Sequence, residues 1–505
     1  MAHPLYSITQ IRAIEQGAQA ALPPGTLMRR AGEAASAYAL EVLGGLPTGV
    51  VLVLAGPGNN GGDALEVAAN LAQVGCTVEV VHLAGSAPPS PEAREALERA
   101  RAARPRFVDA VTPSPHYCLV VDGLFGIGLA RPLAGRAREL VQLANRMHCP
   151  LLALDLPSGL DADTGEVIGP DGAAVVATHT ITFLGDKPGL HTGDGCDHAG
   201  RVRVNPLEAE GLHQVAAQAC LNQPELLKAC LAPRRRNSHK GSFGDVVVLG
   251  GAQGMLGAAV LAARGALYAG AGRVFAACLH PGPGIDMTQP EIMFRDAAGF
   301  DVKGRTLVAG PGLGDSAEAM HLLGKAIDAD APLLLDADGL NLVAASPELQ
   351  ARVAARAAPT VLTPHPLEAA RLLGVTTAII QADRLENARE LAQRLNAVVV
   401  LKGAGSVIAR PDGDVAINTS GNPGLATGGS GDVLAGLGGA LLAQGWPAWE
   451  AALGAVWMHG AAADRLVSDG VGQIGLTAGE LPPAIRAEYN ALVLASVSRR
   501  DQRRR

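Results

Sequence analysis

Val50-Val51-Leu52-Val53-Leu54, then Gly56-Pro57-Gly58-Asn59-Asn60-Gly61-Gly62-Asp63, then an alanine-rich stretch ending near Gly75 decide the fold. A short apolar run rich in β-branched residues, a glycine loop and a helical pattern make one strand–loop–helix unit. The same alternation returns at residues 77–83, 117–122 and 150–155, after a helical opening at residues 8–44. Short buried runs separated by helical spacers predict an α/β domain with a parallel sheet and helices on both faces. Each run ends in polar or glycine-rich residues, so the polar groups lie at the carboxyl ends of strands, where open α/β sheets bind ligands.

Working outward, the pattern lapses between residues 205 and 233, and a second α/β series begins at residues 245–249. It continues at residues 273–278, 306–309, 332–336, 360–363 and 397–401, with long helical stretches at 257–270 and 432–445. The halves share a class but no repeated motif. We therefore expect two different domains, residues 1–222 and 223–495, followed by a basic tail at 496–505.

Composition bounds the function. Hydrophobic residues make up 48% and charged residues 18% of the 505 positions, which suits folded domains and excludes a disordered chain. No apolar run approaches the roughly 20 residues of a membrane span, and the N-terminus lacks a signal peptide, so a cytoplasmic protein is expected. The seven cysteines include no Cys-x-x-Cys pair, which argues against a zinc or disulfide framework. A net charge of −7 and 3% aromatic residues disfavour a nucleic-acid partner. Self-association into a homo-oligomer is expected.

Three strand ends in the first half carry more polarity than turns require. The loop at residues 56–63 offers backbone N–H groups at a helix start, where a phosphate binds, and Asn59, Asn60 and Asp63 add polar side chains. Asp122 opens Asp122-Gly123-Leu124-Phe125-Gly126-Ile127-Gly128-Leu129-Ala130-Arg131-Pro132, a loop able to wrap a diphosphate. Asp155 opens Asp155-Leu156-Pro157-Ser158-Gly159, where Ser158 supplies another oxygen. In the second half, Thr427-Gly428-Gly429-Ser430-Gly431-Asp432 forms an anion-binding turn at a helix start. Asp432 beside it is placed to take a proton from an attacking hydroxyl; its bland alternative is an acidic residue favoured by the helix dipole.

On these motifs the first half resembles the NAD(P)H-hydrate epimerase family, over residues 5–215. The second resembles the ADP-dependent NAD(P)H-hydrate dehydratases of the ribokinase-like superfamily, over residues 225–490. The second match is carried by Asn237–Gly241, Gly250-Gly251, Ala309–Gly314, Asp336-Ala337-Asp338, Thr363–Glu368, Lys402–Ser406 and the Asn422–Asp432 turn. The resemblance implies a Rossmann-like three-layer N-terminal domain and a ribokinase-like C-terminal domain. It implies epimerisation of the R and S forms of hydrated NADH and NADPH. It further implies dehydration of the S form to NAD(P)H at the expense of ADP, giving AMP and phosphate.

By the same resemblance, Asn59, Asn60, Gly61, Gly62, Asp63, Gly126, Ile127, Gly128, Leu129, Ala130, Arg131, Pro132 and Asp155 contact the hydrate. Asn60, Asp122 and Ser158 hold K⁺. In the second domain Gly312, Gly314, His365 and Asp432 face the hydrate. Lys402, Gly403, Ala404, Gly405, Ser406, Asn422, Thr427, Gly428, Gly429, Ser430 and Gly431 line the ADP site, with Mg²⁺ bridging phosphates. Asp155 and Asp432 are the catalytic candidates. Lys187 is a weaker one, against which stands a surface lysine in a turn. Ala64 and Leu367 stand where glycines are common in these families.

Overall fold

Val51 and Val53 point into one apolar cluster and Leu52 and Leu54 into another, so the first strand is buried on both faces. That is the two-period of a strand in a sheet covered on both sides, and each such side chain contributes about 1.5–3 kcal/mol on burial. The computed structural model describes residues 3–85, 88–111, 113–114, 116–209, 215–282 and 284–502, with side chains up to residue 497. The chain forms two compact units, Pro4–Ala219 and Cys220–Arg505, the latter including His3.

In the first unit seven strands are all parallel. Their spatial order is Arg106–Phe107, Thr77–His82, Val50–Ala55, Tyr117–Gly123, Leu151–Leu154, His179–Phe183 and Arg201–Asn205. After Val50–Ala55 the chain first moves to one side of that strand and then returns to the other. The loops following Val50–Ala55 and Tyr117–Gly123 therefore part at a topological switch point, the usual ligand crevice of such sheets. Register brings Leu54 beside Asp122 and Ala55 beside Gly123, so the two loops start level with each other.

The second unit carries a mostly parallel sheet. Its parallel part runs Met293–Asp296, Arg273–Cys278, Asp245–Gly250, Thr306–Ala309, Leu333–Leu335, Thr360–Leu362, Val398–Leu401. Val407–Ala409 and Val415–Asn418 extend it antiparallel. Here the switch point falls between Asp245–Gly250 and Thr306–Ala309. The helices Leu256–Tyr268, Ser430–Ala443 and Ala448–Ser468 bury alanine- and leucine-rich faces in one large core.

Several expectations change. The helical opening consists of two helices, Ile8–Ala21 and Thr26–Leu43. Pro23 and Pro24 break the ladder because neither has an N–H to donate, and Gly25 starts the second helix at φ 73°. The polar lapse contains a strand, Ala219–Asn222. The basic tail is partly helical, since Leu481–Gln502 runs through Arg499 and Arg500; Arg503, Arg504 and Arg505 lie outside the described residues. No helix among the described residues is long and apolar enough to cross a membrane.

Candidate functional site

In the first unit a cavity of about 710 Å³ opens over the switch point. Asn59, Asn60, Asp63, Gly126, Ile127, Gly128, Leu129 and Asp155 line it. Gly61 and Gly62 do not; they are buried where a side chain would strike Gly56 and Met28, so their role is to let the helix Asn59–Gln73 approach its neighbours. Ala130, Arg131 and Pro132 are exposed and outside the cavity lining. The helix Asn59–Gln73 begins at Gly58 with no side-chain cap, which leaves its first amides turned to the cavity end.

Asp155 and Lys187 form the centre of this cavity's chemistry. Asp155 has φ 64°, a left-handed backbone at a strand end, and its Oδ1 lies 2.8 Å from Lys187 Nζ. A side chain on Gly126 would start 2.9 Å from Asp155 Oδ2 and 3.5 Å from the Asn60 side chain, so these three residues converge. Lys187 is fully buried, and its ammonium also donates to Thr182 Oγ1 at 2.6 Å, Phe183 O at 3.1 Å and Gly185 O at 3.2 Å. The surface-turn reading of Lys187 is thus overturned: an ammonium is held out of water only where such partners surround it. Glu15, which sequence reasoning passed over, also lines the cavity. Burial, with Asp155 adding, raises the pKa of Glu15, and burial, Asp155 and Glu15 raise that of Asp63 well above its ordinary value.

Asp122 and Ser158 are both completely buried beneath the same loop. Asp122 accepts from Ser158 N at 2.9 Å, Ser158 Oγ at 2.7 Å and Leu124 N at 3.2 Å. Ser158 Oγ also meets Phe125 N at 2.8 Å and Phe125 O at 3.1 Å. Burial raises the Asp122 carboxyl to about 6. Asn60 is buried with neither amide atom partnered. A buried amide without a partner is costly, and an amide oxygen, a carboxylate and a hydroxyl are the kinds of donor that a hard cation takes.

In the second unit the named residues sit on consecutive strand ends. Gly312 and Gly314 lie at the switch point against the Ala252–Met255 turn, at φ 60° and 72°, and Gly314 N donates to Asp338 Oδ2 at 2.9 Å. Asp336, Thr363 and Lys402 follow across the sheet. Lys402 Nζ is 2.7 Å from Asp336 Oδ1, which also accepts from Thr363 Oγ1 at 2.8 Å, and 4.0 Å from Glu368 Oε2. Burial opposes the charge of Lys402, but Asp336 and Glu368 outweigh it and its pKa rises. Sequence reasoning quoted Asp336 and Glu368 inside motifs without giving them a role; only the fold shows them flanking Lys402.

The helix Ser430–Ala443 starts at Gly429, φ 92°, again without a side-chain cap. A side chain on Gly431 would start 3.4 Å from Lys402 Nζ and 3.9 Å from Asp336 Oδ2, so the ammonium lies at the helix start. Open amides, a helix dipole and a cation together make an anion site. Asp432 stands in the first turn; burial and then the Asp336 charge push its carboxyl up to about 6, with Lys402 opposing. Asn422 and Ser430 brace the preceding turn: Asn422 Nδ2 donates to Asp464 Oδ1 at 2.9 Å and Ser430 Oγ to Leu425 O at 2.8 Å. Ser406 Oγ accepts from Gly403 N at 3.2 Å, closing the 402–406 turn. His365 caps the helix Pro366–Leu373 through Nδ1 and its side chain is 45% exposed, so it is not a core histidine. Among the described residues no group of three His, Cys, Asp or Glu side chains forms a metal cluster.

Comparison with known proteins gives a family for each half of the chain. Residues 24–189 match the family described as YjeF-related protein N-terminus, and residues 246–481 match NAD(P)H-hydrate dehydratase. A bifunctional NAD(P)H-hydrate repair enzyme of Coxiella burnetii is 37% identical over 509 residues, 96% of this chain and 99% of the relative. The one of Escherichia coli is 39% identical over 440 residues, 83% of this chain and 81% of the relative. The solved ADP/ATP-dependent NAD(P)H-hydrate dehydratase of Bacillus subtilis, co-crystallised with ATP and Mg²⁺, is 33% identical. It covers 54% of this chain and 98% of its own, with a TM-score of 0.48. Two domain families in this order, matched along nearly the whole length of such relatives, place the chain: it belongs to the bifunctional NAD(P)H-hydrate repair enzyme family.

Proposed function

We propose that the first unit epimerises hydrated NADH and NADPH and the second dehydrates the S epimer with ADP as phosphoryl donor. One observation carries the reading: each unit sets a lysine among carboxylates at the carboxyl ends of its strands, Lys187 paired with Asp155 and Lys402 paired with Asp336 at the helix start that carries Asp432. The hydrate carries a hydroxyl on the ring carbon next to nitrogen. In the first unit Asp155 takes the hydroxyl proton as the carbon–nitrogen bond opens and returns it when the ring closes on the other face. Lys187 holds and aims the Asp155 carboxylate. The Asn59–Asp63 helix start and the Gly126–Leu129 loop receive the diphosphate.

In the second unit Asp432 takes the proton of the hydroxyl as its oxygen attacks the terminal phosphoryl group of ADP, and AMP leaves. Phosphate then departs with the carbon–oxygen bonding electrons, the adjacent ring carbon gives up a proton to solvent, and the electrons of that carbon–hydrogen bond form the ring double bond. Lys402 and the amides around Gly431 stabilise the charge on the transferring group. Asp336 and Glu368 offer hard oxygens for a Mg²⁺ carried in with the nucleotide. The test uses the full chain, both epimers of hydrated NADH, and ADP. Reduced-nicotinamide absorbance should return completely, and without ADP it should not return at all.

For the cation, Asn60, Asp122 and Ser158 would hold K⁺, whose fixed charge assists diphosphate binding. Asp122→Ala should lower the epimerisation rate about tenfold or more, the order of loss for disturbing a metal's surroundings, and leave dehydration unchanged. The parent rate should rise with added K⁺ and the variant's should not. An epimerase indifferent to both changes removes the ion from the reading.

A further inference from the structure

Beneath the 402–406 turn lies Arg384, the first residue of the helix Arg384–Leu395 and 1% exposed. Its Nη2 donates to Leu401 O at 3.2 Å and to Lys402 O at 3.1 Å, and its Nη1 donates to Gln381 Oε1 at 2.6 Å. A side chain on Gly403, whose φ of 137° already favours glycine, would begin 3.0 Å from the same Nη2. The guanidinium is therefore pressed against the backbone where the strand Val398–Leu401 turns into the loop.

Two features make this more than packing. A guanidinium is costly to bury, and an apolar residue would fill the space at lower cost if filling were the only need. Its Nη2 donates to two successive carbonyls while Nη1 is anchored on Gln381, which sets the plane of the peptides on either side of Lys402. A charged donor on the Lys402 carbonyl also polarises the adjoining Gly403 N–H and strengthens it as a donor.

We propose that Arg384 is a positioning residue of the nucleotide site, its fork fixing the Leu401–Gly403 backbone so that the following turn meets the ADP phosphates in one orientation. This rests on the reading that the 402–406 turn holds nucleotide.

The test uses the full chain. Arg384→Lys keeps the charge but replaces a rigid fork with a single ammonium. ADP affinity by calorimetry should fall about 10- to 100-fold, the order for losing charged hydrogen bonds. The kcat for dehydration at saturating ADP should stay within about threefold, and epimerisation should be unchanged. Free guanidinium ion should restore ADP affinity to Arg384→Ala, whereas methylammonium should not. Parent-like ADP affinity in Arg384→Lys overturns the proposal, and so does a fall in kcat with ADP affinity intact. Should either chain lose its near-ultraviolet circular dichroism, Gln381→Met carries the comparison, since it removes one anchor of the fork and leaves the guanidinium in place. Hydrogen exchange of the parent separates the two levels. ADP that leaves the 402–406 amides unprotected removes the nucleotide-site reading, while protection there with unaltered affinity in Arg384→Lys removes only the role of Arg384.

Discussion

Asp432→Asn should dehydrate hydrated NADH about 10²- to 10⁴-fold more slowly than the parent, the usual contribution of a positioned general base. The substitution keeps the size and hydrogen-bonding shape of the side chain and removes its basicity. ADP affinity should change little, because the backbone amides of the turn and Lys402 remain. A helix-start acid acting only through the dipole would be worth at most about 1 kcal/mol, or about fivefold, so single-turnover rates at saturating ADP separate the two cases. The pH dependence has a definite sign. Asp432 is pushed up to about 6 and must be ionised to accept a proton, so the rate should rise as pH passes through about 6 and then level off. Glu368, pushed up to about 7 by burial with Lys402 opposing, titrates in a neighbouring range. The assignment therefore requires that the inflection near 6 vanish in Asp432→Asn.

The second large effect is expected at Lys187. Lys187→Met should lower epimerisation about 10²- to 10³-fold, comparable to removing a preorganised electrostatic partner from a reacting centre. In the full chain with ADP, one epimer should then be repaired at the parent rate and the other should linger. Breaking a buried ion pair by removing one partner costs about 3–5 kcal/mol of stability; Asp155 retains some solvent contact, so the lower end is expected. The double variant Lys187→Met/Asp155→Asn removes both charges. It should recover stability relative to Lys187→Met but no activity. Recovery of epimerisation along with stability would remove both Lys187 and Asp155 from the chemistry.

What the sequence disclosed, and what it withheld, follows from the range of the forces involved. The buried strands at Arg273–Cys278 and Thr306–Ala309 were legible because a run apolar on both faces leaves a contiguous trace. The strand Arg201–Asn205 alternates Arg, Val, Arg, Val at a sheet edge and offered too little apolar signal, and Val407–Ala409 is simply short. At the sites, the loops were legible because glycine, asparagine and aspartate cluster within a few positions. The partners were not. Lys187 lies 32 positions from Asp155 and Asp336 lies 66 from Lys402, and only the strand order brings them within 2.8 and 2.7 Å. Burial of Lys187 was the clearest miss, since Gly185-Asp186-Lys187-Pro188-Gly189 has every local mark of a surface turn.

The left-handed backbone at Asp155 limits which mutations selection can sample there. Apart from glycine, asparagine and aspartate are the residues that visit φ near 64° at small cost; a β-branched or bulky replacement would strain the strand end by about 1–3 kcal/mol. Glycine would relax the backbone but leave the fully buried Lys187 ammonium without its anion. A screen for heat resistance alone would therefore keep the carboxylate as well, so stability and repair constrain this position in the same direction. A lineage kept under demand for turnover has almost no neutral route away from aspartate at this residue.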